Sequence, residues 1–367
     1  MNKKLTVGTL FSGIGAPEWA LKRLGIEHDI VFACDNGEVE LTADVSKEVT
    51  LLNNQGKYSE AKLVVDEAIN KRKRNFVKES YLKNYELDEN DFHHDVTLLD
   101  GKQYKNKVDV IVGGSPCQAF SAVGYKRGLE DARGTLFYEF ARIISQAQPK
   151  AFIYENVAGL LTHDKGKTWK IIWSIFESLG YNLHWKKINS KNYGIPQNRN
   201  RIFVVGIKKR NDFTFEEEVE LKYTMQDFLE SKVKMGDFSF DSNGSIYIKK
   251  TSKRTLSIDD KYYPSEKVIK HIMSPGTKNY FSKIATDLPI ARPILATMHK
   301  MHRASVDNYI TTKKGLRMIT PREATRLMGF TDEFIIHDSR LRGYKQAGNS
   351  IVVDVMMSIW RSLLKEL

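Results

Sequence analysis

The sequence predicts an α/β fold: a mostly parallel, doubly wound sheet with a second, smaller domain. Three observations predict it. Short apolar runs that read as strands alternate with segments of helical periodicity from residue 5 to residue 207. The first strand passes through a glycine turn into a helix, and the second strand ends on an acid, as nucleotide-binding units begin. Over residues 211–300 that rhythm is lost and short alternating pieces rich in Lys take over.

The elements follow in order. LTVGTLF at 5–11 reads as a buried strand, and Ser12-Gly13-Ile14-Gly15 as the turn after it. Pro17 suits the first turn of a helix, Ala20, Leu21 and Leu24 share its apolar face, and Gly25 can end it. Ile30–Ala33 is a second strand, closed by Asp35. Residues 40–80 read as a helical insertion carrying the basic run Lys71-Arg72-Lys73-Arg74, by default a solvated helix face. Val108–Val112 is a strand, Leu136–Ser145 a helix and Ala151–Tyr154 a strand leading into Glu155. Trp169–Leu179 is a helix closed by Gly180, and Arg201–Ile207 a strand. Residues 1–210 and 311–367 are expected to form the main domain, and 211–310 the smaller one. In sheets of this kind ligands lie beyond the carboxyl ends of the strands. Asp35, Cys117 and Glu155 all fall just past the ends expected for three of them.

Composition narrows the classes. The chain has 367 residues, 41% hydrophobic and 28% charged, with no run long enough to span a membrane. The basic start, MNKKLTVGTLFSG, is not followed by a signal-peptide core, so a cytoplasmic protein with free thiols is expected. A net charge of +12 and a pI near 9.3 suggest a polyanionic partner, nucleic acid before membrane. The nine histidines show no ligand spacing with acids or cysteines, so no metal is expected.

Cys117 is one of two cysteines, set after a proline in Gly113-Gly114-Ser115-Pro116-Cys117-Gln118. Alone it reads rather as a small apolar residue at a strand end than as a nucleophile. Its surroundings favour a nucleophile, which needs an accessible thiolate. Cys34, beside Asp35, reads as a buried thiol.

The motifs in order are Thr9-Leu10-Phe11-Ser12-Gly13-Ile14-Gly15, Gly114-Ser115-Pro116-Cys117-Gln118 and Asp131-Ala132-Arg133-Gly134-Thr135-Leu136-Phe137. Glu155-Asn156-Val157 and Tyr193-Gly194-Ile195-Pro196-Gln197-Asn198-Arg199-Asn200-Arg201 follow. Thr320-Pro321-Arg322-Glu323-Ala324-Thr325-Arg326-Leu327-Met328-Gly329-Phe330 and Gln346-Ala347-Gly348-Asn349-Ser350 close the series. With these motifs the chain resembles the cytosine-C5 DNA methyltransferases, especially the compact bacterial type found in restriction–modification.

The resemblance implies a Rossmann-like, S-adenosylmethionine-dependent methyltransferase domain and a target-recognition domain at 211–310. It implies Cys117 as the nucleophile that adds to cytosine C6, Glu155 as the partner of N3 and Arg201 at the base's carbonyl oxygen, with Arg199 its catalytic neighbour two residues earlier on the same strand face. For S-adenosylmethionine, which leaves as S-adenosylhomocysteine, it implies Phe11, Gly13, Ile14, Asp35, Asn36, Asp95, Val96, Pro116, Leu136, Asn349 and Ile351. For DNA it implies Gln118, Ser121, Val123 and Arg133, with the loop 119–128 closing over a base flipped from the duplex. Two features depart from the pattern: Asn36 replaces a large apolar residue, and the insertion before Asp95 is long. Ile294-Leu295 stands nearest to a Thr-Leu pair common late in the recognition domain.

The partners expected are double-stranded DNA and a restriction endonuclease acting on the same site, with the chain itself a monomer. Two other readings stay open: a cytosine-C5 methyltransferase acting on tRNA, and a catalytically silent DNA-binding regulator.

Overall fold

The computed structural model describes residues 4–39, 41–71, 74–116, 136–209, 211–252, 255–277, 280–281 and 283–367. Seven strands form the main sheet: β1 Leu5–Leu10, β2 His28–Cys34, β3 Phe92–His93, β4 Val110–Gly113, β5 Ala151–Val157, β6 Asn182–Asn189 and β7 Asn200–Ile207. Their order is β3-β2-β1-β4-β5-β7-β6. The pairs among β3, β2, β1, β4 and β5 are parallel, whereas β7 runs antiparallel to both β5 and β6.

The central strands are continuous apolar runs because both of their faces are covered. Alternate residues serve opposite faces. Val110 and Val112 of β4, with Ala151 and Ile153 of β5, join one core cluster. Ile111 of β4, with Phe152 and Tyr154 of β5, joins the other. The first face is covered by α1 (Ala16–Arg23) and the C-terminal helix Val353–Leu363, where Trp360 Nε1 donates to the Pro17 carbonyl at 3.2 Å. The second is covered by the helices Leu136–Ala147 and Lys167–Ser178, through Phe137, Phe140, Ile172 and Phe176.

Two strands escape the sequence pattern. β3 has only two residues, and β6 is an edge strand whose half-exposed NLHWKKIN lacks the apolar run of its neighbours. Lysines along an edge are a common defence against unwanted pairing, and they mask the strand's periodicity.

Three helices fill most of the insertion: α2 Ala43–Asn54, α3 Tyr58–Asn70 and α4 Phe76–Leu82. α2 and α3 pack together through Val49, Ala61, Val65 and Ile69. Lys71 and Arg74 are exposed and lie beside Glu67 and Glu79. Residues 211–310 hold short strand pairs, including Phe238–Phe240 with Ile246–Ile248. Their core is not separate. Phe213, Met225, Phe228 and Ile294 belong to the same cluster as Trp19 and Trp360.

Candidate active site

The carboxyl edge of the parallel strands assembles the candidate residues in spatial order. Asp95 follows β3 by two residues, Asp35 follows β2, Phe11 follows β1, and Gly114-Ser115-Pro116 follows β4. Glu155 differs from expectation: it lies inside β5, not beyond it. The parallel partner β4 stops pairing at Gly113–Tyr154, but the antiparallel β7 continues opposite Glu155, Asn156 and Val157. The extra pairs lift Glu155 past the rim while holding it in a ladder.

Arg201 stands directly opposite Val157, so it is diagonal to Glu155 on the same sheet face. Arg201 Nε lies 2.9 Å from Glu155 Oε1, and both side chains keep partial solvent access, 21% and 13%. Behind this pair, Gly114 is pressed against Glu155: a Cβ there would come within 2.8 Å of the Glu155 carbonyl oxygen and 2.9 Å of Oε2. The loop that leads to Cys117 is thus packed on the carboxylate. Its backbone is pinned as well. Asn156 Nδ2 donates to the Ser115 carbonyl at 3.0 Å and to Tyr154 Oη at 2.7 Å, and Tyr154 Oη shares a 2.8 Å hydrogen bond with Ser115 Oγ. Tyr154, Asn156 and Ser115 are positioning groups not among the sequence-based candidates, although they flank Glu155 and Cys117. Cys117 and the expected DNA contacts Gln118, Ser121, Val123 and Arg133 lie outside the described residues.

Arg199 calls for a correction to the expectation that it shares a strand face with Arg201. It precedes β7 and is buried. Its guanidinium donates to the carbonyls of Ile294 (2.9 Å), Gly348 (3.0 Å) and Ser350 (3.0 Å). Burial, and the nearby Arg201 charge, lower its pKa to about 9, so it remains a cation at neutral pH. The structure commits these donors to backbone carbonyls that fasten the segment 294–296 against Gly348, where a Cβ would lie 2.1 Å from Ala296 N.

The cofactor candidates form a turn and two acidic corners. Phe11 (φ 55°) and Gly13 (φ 54°) both take left-handed backbone. A Cβ on Gly13 would meet Phe11 O in ordinary contact at 3.9 Å, so the turn is not crowded there. The Asp35 carboxylate accepts from Gly13 N (3.0 Å) and Gly37 N (2.9 Å), and burial pushes its pKa up. Asp95 Oδ1 accepts from Thr97 N and Thr97 Oγ1, which aims it from its corner. Val96 is buried, and its carbonyl accepts from Arg142 Nη2 at 2.7 Å. Ile14 is buried, and Leu136 opens its helix half-exposed. Asn36 is exposed and turns its Oδ1 to Glu38 N, so it does not replace the missing apolar residue. Asn349 ends the helix Arg340–Asn349 and is exposed, with Ile351 just after it. Cys34 is a buried thiol pushed well up by burial. Among the described residues no group of three or more His, Cys, Asp or Glu is placed to hold a metal, and no helix is long and apolar enough to cross a membrane.

Comparison with known proteins places the chain in a family. Residues 53–365 match the family model of C-5 cytosine-specific DNA methylases. The chain belongs to that family. It is a DNA cytosine-C5 methyltransferase, and members of the family use S-adenosylmethionine as methyl donor. Among its relatives, the Type II methyltransferase M.HpaII of Haemophilus parainfluenzae is 36% identical over 311 residues, covering 78% of this chain and 80% of the relative. The Type II methyltransferase M1.ScrFI of Lactococcus lactis subsp. cremoris is 35% identical, covering 75% and 67%. In fold the methyltransferase is similar to the crystal structure of S. pombe Dnmt2, with a TM-score of 0.65, 19% identity and 99% of each chain covered.

Proposed function

We propose that this methyltransferase modifies C5 of a cytosine flipped from a specific duplex DNA site, through a covalent bond between Cys117 and C6, as part of a restriction–modification pair. The observation that carries the reading is the Glu155–Arg201 pair, held 2.9 Å apart against Gly114 in the loop that leads to Cys117. Cytosine C5 is a poor nucleophile until a thiolate adds to C6 and turns the ring into an enamine. Negative charge then builds on N3 and the carbonyl oxygen. Glu155 is the group to share a proton with N3, and Arg201 the cation to meet the carbonyl oxygen while orienting Glu155.

S-adenosylmethionine supplies the electrophilic methyl group that C5 takes up. The chain's donor set fits it. The uncrowded turn at Gly13, the Asp35 acid at the end of β2 and the Asp95 acid after β3 suit an adenosyl group, its ribose hydroxyls and its base edge. Loss of the C5 proton to a base and expulsion of the Cys117 sulfur from C6 restore the aromatic ring and the free thiolate. Arg199 acts in this reading by fastening the segment around Ile294 to the end of the helix that bears Asn349. Residues 211–310 are proposed to read the duplex from the major groove, the surplus of positive charge holding its phosphates. A restriction endonuclease directed at the same site is the proposed companion, and the chain is proposed to act as a monomer in the cytoplasm.

The test is methyl transfer to duplex DNA, read as 5-methylcytosine by nucleoside mass spectrometry and mapped at base resolution. Wild type should produce it at one sequence context, and Cys117→Ala should not, while still binding DNA. Absence of 5-methylcytosine in DNA, with product on tRNA instead, would overturn the duplex assignment.

A further inference from the structure

Within the insertion, Asn75 stands immediately before α4 and is where that segment meets the Asp35 turn of the main domain. Asn75 is 5% exposed, and the hydrogen-bonding capacity of its side chain is fully used. Oδ1 accepts from Val77 N and Lys78 N, both at 3.0 Å, and so caps α4. Nδ2 donates to the Asp35 carbonyl at 2.8 Å and meets His94 Nδ1 at 2.9 Å. Reversing the amide would set donor against donor at the cap and acceptor against acceptor at Asp35, so the orientation is determined. His94 Nδ1 is then an acceptor and its Nε2 carries the proton, which points toward Asp66 Oδ1 of α3 at 3.6 Å. Burial lowers the His94 pKa to about 4, which keeps that neutral form at physiological pH. The contact with the Asp35 turn is tight: a Cβ on Gly37, at φ 57°, would lie 2.1 Å from Asn75 Oδ1.

The helix that Asn75 caps reaches the other parts of the cradle. Tyr85, just after α4, donates to the carbonyls of Ile14 and Gly15, and a Cβ on Gly15 would lie 2.3 Å from its ring. Tyr81 donates to buried Glu18 at 2.6 Å. Gln346, three residues before Asn349, donates to the Phe76 carbonyl and to Ser80 Oγ. One short element therefore touches the glycine turn, the Asp35 corner, the Asp95 corner and the Asn349 helix.

We infer that Asn75 is a positioning residue for the methyl donor: its amide fixes the backbone behind Asp35 to His94, the neighbour of Asp95, so that the two acidic corners keep one spacing. Asp66 of the insertion hairpin lies beside the same corner, its Oδ1 3.6 Å from His94 Nε2. This role rests on the reading that Asp35 and Asp95 hold S-adenosylmethionine.

The experiment measures S-adenosylhomocysteine binding by calorimetry on the full chain, together with the melting temperature. Asn75→Asp keeps two acceptor oxygens for the α4 cap but removes both amide donors. Asn75→Ala removes cap and donors together. A positioning role predicts that Asn75→Asp melts within a few degrees of wild type yet binds S-adenosylhomocysteine about tenfold more weakly, the scale of one lost hydrogen bond. KM for the methyl donor should rise with it, while kcat at saturation and DNA affinity stay within about threefold. A purely structural cap predicts that Asn75→Asp restores both stability and binding, and Asp-variant binding equal to wild type would overturn the inference. Failure of the wild-type chain to bind S-adenosylhomocysteine would sink the cofactor reading and this inference with it.

Discussion

Glu155 and Arg201 meet only because β5 and β7 are antiparallel: a diagonal pair on one face brings Nε within 2.9 Å of Oε1. In the proposed chemistry the carboxyl has to carry a proton at N3, which an amide cannot do. Glu155→Gln is therefore expected to lower kcat about 10²- to 10⁴-fold in single-turnover assays, the usual share of one general acid, while S-adenosylhomocysteine affinity stays near wild type. Arg199 gives the contrasting case. It serves three backbone carbonyls, so Arg199→Leu should strand buried acceptors and cost about 2–4 kcal/mol in urea unfolding. A variant that kept wild-type stability but lost turnover would instead place Arg199 at the reacting base. These two arginines are two residues apart in the motif Arg199-Asn200-Arg201 and cannot be told apart by type. What separates them is the place at which β7 begins.

At the scale of elements, the loop after β4 is set by packing against its neighbour. Gly114 lets the loop lie on Glu155, and Asn156 and Tyr154 hold the Ser115 backbone. Adding one methyl group in Gly114→Ala should displace Glu155 by several tenths of an ångström or more, since contacts of 2.8–2.9 Å cannot be accommodated without a shift. The expected result is a large loss of kcat, about 10²-fold for ångström-scale misplacement, with methyl-donor binding retained. Equal activity of the alanine variant would show that the carboxylate has room the geometry denies it. Elements also divide what could be read in advance. Strands β1, β2, β4, β5 and β7 were legible because a strand covered on both faces must be an apolar run. β6 was not, because an edge strand with Trp185, Lys186 and Lys187 satisfies the polar face it shows to solvent.

For the whole molecule, buried titratable groups set the response to pH. His93 and His94 are held neutral by burial, with pKa values lowered to about 3 and about 4 from 6.5; the nearby Asp66 only partly opposes the shift at His94. Between the folded and unfolded values the unfolded chain binds more protons, so stability is full above about pH 6.5 and is lost as pH falls toward 4. Glu18 and Asp35, whose carboxyls burial pushes up, act in the opposite sense: their folded forms bind the proton more readily, a contribution lost as pH rises past the ordinary values of 4.5 and 3.8. The histidine window opens just below pH 6.5. The urea midpoint should therefore drop from pH 7 to pH 5, and a His94→Gln background should show a shallower drop. An unchanged slope in that variant would mean that His94 titrates normally in the fold.

The order of the motifs, the α/β class and the places where chemistry concentrates are legible in the residues themselves. Those properties are local: a strand's burial shows in its own residues, and a loop that must bear a thiolate or an acid shows in its residue types. Tertiary structure alone decided which side chain serves which partner. Asn75 meets His94 across 19 residues and Asp35 across 40, Arg199 meets Gly348 across 149, and Gln346 meets Phe76 across 270. A hydrogen bond between such residues depends on how distant segments approach to within about 3 Å, and no local pattern in either segment specifies that distance.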